Sequence, residues 1–202
     1  MAMHMYATNS HGYLPRCAGN GLQQPEDFVY WQQDRQQTEP LRDSPLVKYL
    51  GSEAMLRRIL LCPNDDPAIR SRQNRPEDGP YPFSYSMNAT LGVATEYYSD
   101  FRCTKLSQIR NSSEVVMLMD ESSDTIDDGL GIFLPLRGGD NVVSDRHDRT
   151  VVAISSSEFP GVPLPKRKGN VAMADGSVQF AARGYVQNLS RIYGRSGADS
   201  GQ

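Results

Sequence analysis

The residues best able to do chemistry are five acidic and imidazole side chains near the ends of expected strands. They are Asp120, Glu121, Asp145, His147 and Asp175. Carboxylate oxygens suit a hard cation such as calcium, which needs several of them at about 2.3–2.6 Å. Their spacing fits no EF-hand pattern. We therefore favour a structural interpretation, in which Asp175 forms a turn, Asp120 a strand-end hydrogen bond and His147 a packing contact, over a bound calcium ion.

No motif supplies a nucleophile together with its base. Serines are abundant near Asp145 and His147, but the Gly-x-Ser-x-Gly elbow of many hydrolases is absent. A nucleophilic Cys62 would need a stabilised thiolate, which the neighbouring Asp65 opposes. The sequence predicts a protein that is not an enzyme. A hydrolase that uses His147 and Asp175 is a further hypothesis, and it requires these two side chains to lie within hydrogen-bond reach.

The three cysteines, Cys17, Cys62 and Cys103, are widely spaced. This spacing excludes a zinc ribbon and leaves either one disulfide with a spare thiol or three reduced thiols. If the domain is exported, we expect a disulfide from Cys62 to Cys17 or to Cys103 that ties the polar loops to the core. The sequence does not choose between the two partners.

Composition indicates one loop-rich domain over residues 1–202. The chain has 21 Lys and Arg against 24 Asp and Glu, so its formal charge of −3 gives no basic face for nucleic acid. Its 17 Gly and 13 Pro and its mean hydropathy of −0.54 indicate long irregular stretches. The longest aliphatic run, residues 115–119, is far shorter than the roughly 20 residues that cross a bilayer.

The first 82 residues should carry short helices and loops. Residues 1–15 are typical of the end of a helix, with Gly12 as its stop and Pro15 preventing continuation. The Gln-rich stretch 16–40 has no clear period, which predicts a surface loop pinned by the pair Tyr30-Trp31. Capping residues and apolar spacing predict short helices over 43–51 and 52–61. A solvated loop should follow to residue 82.

Residues 83–202 should form an antiparallel β-sheet, which makes the fold α+β. Strands are predicted at 83–88, 115–119 and 151–154, with a helical turn near 105–109. Asp175-Gly176 lies between two apolar alternating runs, 170–174 and 177–181, and predicts a C-terminal β-hairpin. We expect a two-residue turn there, with positive φ at both positions.

Six short sequence motifs, which we call phrases, follow one another along the chain. They are Met5-Tyr6-Ala7 with Asn9, Gly12 and Leu14-Pro15; Cys62-Pro63-Asn64-Asp65; Ser84-Tyr85-Ser86-Met87-Asn88; Ser107-Gln108-Ile109 through Val116 to Asp120-Glu121; Arg146-His147; and Asn170-Val171-Ala172-Met173-Ala174-Asp175-Gly176-Ser177-Val178. Together they resemble the globular part of bacterial prepilin-type, pseudopilin-like proteins, which are related to the type II secretion pseudopilins. The resemblance covers nearly the whole chain.

The resemblance implies a non-catalytic subunit of a type II secretion or surface filament system, in a family of which some members are stabilised by calcium in a carboxyl-terminal loop. In that family an N-terminal apolar helix is cleaved, methylated and anchored in the inner membrane. We therefore expect a truncated helix at residues 1–15, with membrane contact only through the missing part. The implied location is the cell envelope, on the periplasmic or cell-surface side, and the implied partners are other pilin-like subunits or secretion machinery.

One departure from the family concerns His147. The 27 residues between His147 and Asp175 are many more than the family has, and residues 151–168 look like an insertion. The alternative function is an envelope-tethered or secreted module that binds carbohydrate or a metal ion. Six aromatic residues could stack on a sugar, although we favour core and loop-anchor roles for them. They are Tyr81, Phe83, Tyr85, Tyr97, Tyr98 and Phe101.

Overall fold

A five-stranded sheet forms the centre of the protein. The computed structural model describes residues 1–21, 23–70, 76–92, 104–132, 141–149 and 167–187. The strands are β1 (Tyr85–Asn88), β2 (Val116–Asp120), β3 (Leu130–Gly131), β4 (Lys168–Met173) and β5 (Val178–Ala182). They lie in the order β3-β1-β2-β4-β5. Together with the helices, this sheet confirms the predicted α+β class.

The sheet is mixed, whereas the sequence predicted an antiparallel one. Neighbours β1 and β2, β2 and β4, and β4 and β5 are antiparallel, but β3 runs parallel to β1. The chain reverses after β2, so its next strand must run in the direction of β1. Because β4 occupies the other edge of β2, this short strand pairs with the outer edge of β1.

Five short α-helices lie in the described part of the chain. They are α1 (Ala2–Asn9), α2 (Val47–Leu50), α3 (Glu53–Leu60), α4 (Ala89–Gly92) and α5 (Arg183–Val186). None of the described helices has the length and apolar character needed to span a membrane.

The ends of α1 and α2 and the start of α3 follow the predicted signals, whereas α2 begins at Val47 rather than near residue 43 and has no side-chain cap. α1 is followed by two residues with positive φ, His11 at 54° and Gly12 at 89°, which confirms the predicted stop. α2 ends at the left-handed Gly51, and the Ser52 side chain accepts the Met55 N–H at the start of α3. The predicted turn near 105–109 is a 3₁₀ helix, Leu106–Gln108.

The core lies on both faces of the sheet, and a register irregularity in β2 between Val116 and Leu118 interrupts the simple alternation of its side chains. Val115 and Met117 belong to a large cluster with α1, α3 and β1. Val116 and Met119 belong to a smaller cluster with Val171 and other side chains of β4, β5 and α5.

The stretch 16–40 is part of the core, so the predicted surface loop is wrong. Phe28 is fully buried and Trp31 nearly so. Trp31 Nε1 donates to the Ala18 carbonyl oxygen at 2.8 Å, and its ring packs edge-on against Tyr81 with centroids 5.1 Å apart. Irregular backbone shows no period in sequence, yet it can be buried when side chains and turns satisfy its polar groups.

The C-terminal hairpin is confirmed as β4 and β5, but its turn differs from the expected two-residue type. Among the turn residues only Gly176 has positive φ, at 91°. The Gly176 N–H donates to the Met173 carbonyl at 2.9 Å, and the Met173 N–H donates to the Ser177 carbonyl at 2.8 Å. The loop therefore has three residues with glycine in the left-handed position. The predicted strand 151–154 and most of the insertion lie outside the described residues.

Candidate functional site

Three side chains from separate parts of the chain meet at the C-terminal end of β2. Cys62 follows α3, Asp120 is the last residue of β2, and His147 lies in the loop 141–149. His147 Nε2 lies 3.1 Å from Cys62 Sγ and 3.4 Å from Asp120 Oδ2. The three donor atoms all lie within 4.8 Å of one another. We call Cys62, Asp120 and His147 the donor cluster.

Cys62 is positioned by the end of α3 and the start of the sheet. The backbone becomes extended at Leu61, and Pro63 prevents the helix from continuing. The Cys62 N–H donates to Ser84 Oγ at 2.8 Å, and the Ser84 N–H donates to the Leu60 carbonyl at 2.8 Å. Cys62 is therefore fixed beside β1 with 1% of its surface exposed.

Asp120 reaches the cluster because of the alternation of β2. It pairs with Tyr85 of β1 and is fully buried. Its Oδ1 accepts a hydrogen bond from Arg146 at 2.6 Å. Its Oδ2 is buried with no hydrogen-bond partner among the described residues. Burial raises the pKa of Asp120 to about 7, although Arg146 acts in the opposite direction.

His147 is held over the end of β2 by the backbone of its own loop. The Ser144 N–H donates to the Asp120 carbonyl at 2.7 Å, and the Asp148 N–H donates to the Asp145 carbonyl at 2.8 Å. The His147 side chain is 27% exposed, so it is the member of the donor cluster closest to solvent.

A buried acid beside the cluster organises the surrounding charges. Asp65 Oδ2 lies 2.6 Å from Arg70, and Asp65 Oδ1 lies 3.1 Å from Arg146. Ser84 Oγ and Ser123 Oγ donate to the same carboxylate at 2.7 and 2.8 Å. We call these five residues the Asp65 network.

The Asp65 network keeps its carboxylate charged despite burial. Burial alone raises the pKa of Asp65, but the Ser84 and Ser123 hydroxyls and the guanidinium groups of Arg146 and Arg70 together lower it below its usual value. Arg146 bonds Asp65 and Asp120 at once, so this network fixes the orientation of Asp120.

The geometry of His147 distinguishes two kinds of chemistry. In a nucleophilic triad, one ring nitrogen faces the nucleophile and the other faces the carboxylate. Here the same nitrogen, Nε2, faces both Cys62 Sγ and Asp120 Oδ2. One nitrogen cannot take a proton from the thiol while donating to the carboxylate. The arrangement instead points three ligand-type atoms toward a common centre, as around a metal ion.

Of the five residues predicted from sequence, the structure brings Asp120 and His147 together. Glu121 is not part of the donor cluster and accepts hydrogen bonds from Thr125 and Asn141. Burial raises the pKa of Glu121 to about 7, opposed by hydrogen bonds from Ser86, Asn141 and Thr125. The predicted five-residue set is therefore not a single site.

The other two predicted residues also lie elsewhere. Asp145 pairs with Arg167 and Arg183. Asp175 is exposed in the hairpin turn and accepts from the N–H and hydroxyl of Ser177 at 2.9 and 2.7 Å, as the turn assignment predicted. No hydrogen bond or ion pair joins His147 to Asp175 within the described part of the chain, which removes the geometry that the hydrolase hypothesis required.

Of the two disulfide partners left open for Cys62, the structure does not pair it with Cys17. Both residues are buried thiols, and they contact different groups. Cys17 Sγ donates to the Met87 carbonyl at 3.4 Å, whereas Cys62 Sγ faces His147. Cys103 lies outside the described residues, and Cys62 is not in a disulfide in this structure.

Cys62 is the member of the donor cluster that the sequence analysis did not place there. The odd number of cysteines directed attention to disulfides. The available signal was the phrase Cys62-Pro63-Asn64-Asp65, because Pro63 predicts that the helix ends abruptly beside Cys62.

The comparisons with known proteins bring no relative to this chain. Models of protein families, curated proteins and solved structures were all searched, and none of them matches.

Proposed function

We propose that this domain is the non-catalytic head of a pilin-like or pseudopilin-like subunit in a type II secretion or surface filament system. The observation that supports it best is that separate phrases of the resemblance meet in space. Cys62 and Asp65 come from one phrase, Asp120 from another, and Arg146 and His147 from a third, and all five belong to the donor cluster or the Asp65 network. If the phrases matched the family only by chance, we would not expect their residues to meet at one place in the fold.

The packing of α1 is a second support. Met3 and Ala7 are buried in the large cluster, and His4 Nε2 donates to the Ala174 carbonyl at 2.9 Å. A helix at the start of the chain is thus packed against a sheet, which is the architecture that the resemblance implies. In the proposal, assembly depends on an apolar helix ahead of α1, while the sheet and loops contact partners in the cell envelope.

The test of the proposal is the mature N-terminus of the protein in its native cell. Mass spectrometry of the protein purified from envelope fractions should find an apolar helix ahead of α1 with a methylated first residue. A mature protein that begins at Met1 would overturn the proposal.

The isolated domain gives an independent test. Because the proposal assigns polymerisation to the helix ahead of α1, the 202-residue chain should be monomeric or weakly associated. Light scattering measures this directly, and a tight, large oligomer would contradict the assignment.

A further inference from the structure

Two of the three separations in the donor cluster are close to those of ligands around one ion, and all three lie within 4.8 Å. A tetrahedral site with a thiolate at about 2.3 Å, an imidazole at about 2.0–2.1 Å and a carboxylate at about 2.0–2.2 Å separates its ligand atoms by roughly 3.4–3.6 Å. His147 Nε2 lies 3.4 Å from Asp120 Oδ2. Its 3.1 Å separation from Cys62 Sγ needs a shift of a few tenths of an ångström, which the partly exposed His147 ring can make.

An unsatisfied atom points into this centre. Asp120 is fully buried, and its Oδ1 is held by Arg146 at 2.6 Å. Its Oδ2 has no hydrogen-bond partner among the described residues, although it is buried. A buried carboxylate oxygen without a partner is costly. A cation bound between Oδ2, Sγ and Nε2 would satisfy this oxygen, while Arg146 keeps the carboxylate oriented from its other oxygen.

The ligand types select the ion. Calcium and magnesium take oxygen ligands almost exclusively, so a site with one sulfur, one nitrogen and one oxygen does not suit them. A thiolate and an imidazole suit borderline ions, and zinc accepts all three ligand types in tetrahedral sites. Three protein ligands leave a fourth position, and the 27% exposure of the His147 side chain gives solvent access to that side.

We propose that Cys62, Asp120 and His147 bind one divalent ion of the zinc class, with the fourth position taken by an exchangeable water. The ion joins the end of α3, the end of β2 and the loop 141–149. Binding takes Cys62 as the thiolate and Asp120 as the carboxylate, so any proton that either side chain carries goes to solvent, and no group is oxidised or reduced. This inference does not depend on the proposed filament function, since the three side chains converge whatever the domain assembles with.

The experiment is a titration of the chelator-treated 202-residue chain with Zn²⁺ and with Co²⁺. The wild type should bind one ion per chain, and Co²⁺ should produce a thiolate-to-cobalt charge-transfer band in the near ultraviolet. Cys62→Ser should abolish that band. Asp120→Asn and His147→Gln should weaken binding at least tenfold. Since His147 is partly exposed, His147→Gln should keep the fold even if a substitution of a buried ligand does not.

The matched controls are His4→Gln and Asp175→Asn, which alter a histidine and an aspartate at the other end of β2. They should bind Zn²⁺ and Co²⁺ as the wild type does. Bound Zn²⁺ should also slow alkylation of Cys62, followed by peptide mass mapping, in the wild type but not in His147→Gln. A wild type without saturable one-to-one binding, or a folded His147→Gln with wild-type affinity and Cys62 protection, would overturn the proposal.

Discussion

Strand β2 has a histidine and an aspartate near each of its ends, and the two pairs differ in how their polar atoms are satisfied. At its start, Asp175 is exposed and bonds to its neighbour Ser177, while His4 bonds to a backbone carbonyl. At its end, Asp120 is buried, and its Oδ2 has no hydrogen-bond partner in the part of the chain that the structure describes. The first pair completes a local turn, whereas the second pair leaves capacity for a ligand.

The difference shows that residue type alone does not define a site. Both ends have an acid and an imidazole, but only the Asp120 end adds a thiol, a buried arginine and a second buried acid. These groups reach one place through α3, β2 and the loop 141–149. A site therefore needs converging elements in addition to suitable side chains.

The largest expected effect comes from breaking the Asp65 network. Asp65→Ala leaves the buried Arg70 and Arg146 without their shared carboxylate, and removing one partner of a buried ion pair costs about 3–5 kcal/mol. Urea denaturation should show a loss of that size in the free energy of unfolding. Ser123→Ala, which removes one hydrogen bond to Asp65, should lose about 1 kcal/mol. Equal effects of the two substitutions would refute the central role given to Asp65.

The second largest effect is expected in the pH dependence of stability, where two Asp-Gly turns should differ. Asp128 and Asp175 each accept the N–H of the residue two positions later. Burial and the neighbouring Asp127 raise the pKa of Asp128 well above its usual value, and bonds from the Asn20 and Leu130 N–H groups offset this only in part. Bonds from Ser177 lower the pKa of the exposed Asp175.

These opposite shifts predict opposite dependences of stability on pH. The native state holds the Asp128 proton more tightly than the unfolded chain does, so this stabilisation is complete below the ordinary pKa and is lost as the pH rises through the raised one. For Asp175 the stabilisation is present above the ordinary pKa and is lost as the pH falls through the lowered one.

The measurement is urea unfolding between about pH 4 and pH 8. The free energy of unfolding of the wild type minus that of Asp128→Asn should fall steadily as the pH rises. The same difference taken with Asp175→Asn should not fall over this range. A wild type and an Asp128→Asn variant with parallel pH profiles would show that burial does not control this acid.

The smallest expected effect is at the hairpin itself. Gly176 has φ of +91°, and a Cβ there would lie 3.2 Å from His4 Cε1. Gly176→Ala should cost about 1–2 kcal/mol because of its left-handed backbone. Gly51→Ala is the matched control, since Gly51 has φ of +86° with no atom within 4 Å of the added Cβ. If urea denaturation shows a larger loss in the free energy of unfolding for Gly176→Ala than for Gly51→Ala, the difference is the cost of the His4 contact. Equal losses would mean that α1 moves away from the added Cβ at no cost in stability.

Elements with local causes were predicted correctly. The helix start at Ser52, the left-handed stop at Gly51 and the β4–β5 hairpin all depend on residues within a few positions of one another. The turn type was missed because a three-residue loop and a two-residue loop both favour glycine at the same place.

Elements with distant causes were not predicted. The stretch around Trp31 has no period, which predicts a surface loop, but its burial depends on Ala18 and Tyr81. The parallel pairing of β3 depends on which edge of β1 remained available. Neither cause is visible within a short window of sequence.

The sequence by itself determined the α+β class, the ends of α1 and α2, the start of α3, the hairpin and the turn role of Asp175, because capping, alternation and turn chemistry act over a few residues. Only the tertiary structure decided that Cys62 faces His147, which is 85 positions away, and that Glu121 bonds to Thr125 and Asn141 outside the donor cluster. Those outcomes depend on where α3 ends against β1 and how the loop 141–149 crosses the sheet, and both are set by packing between distant segments.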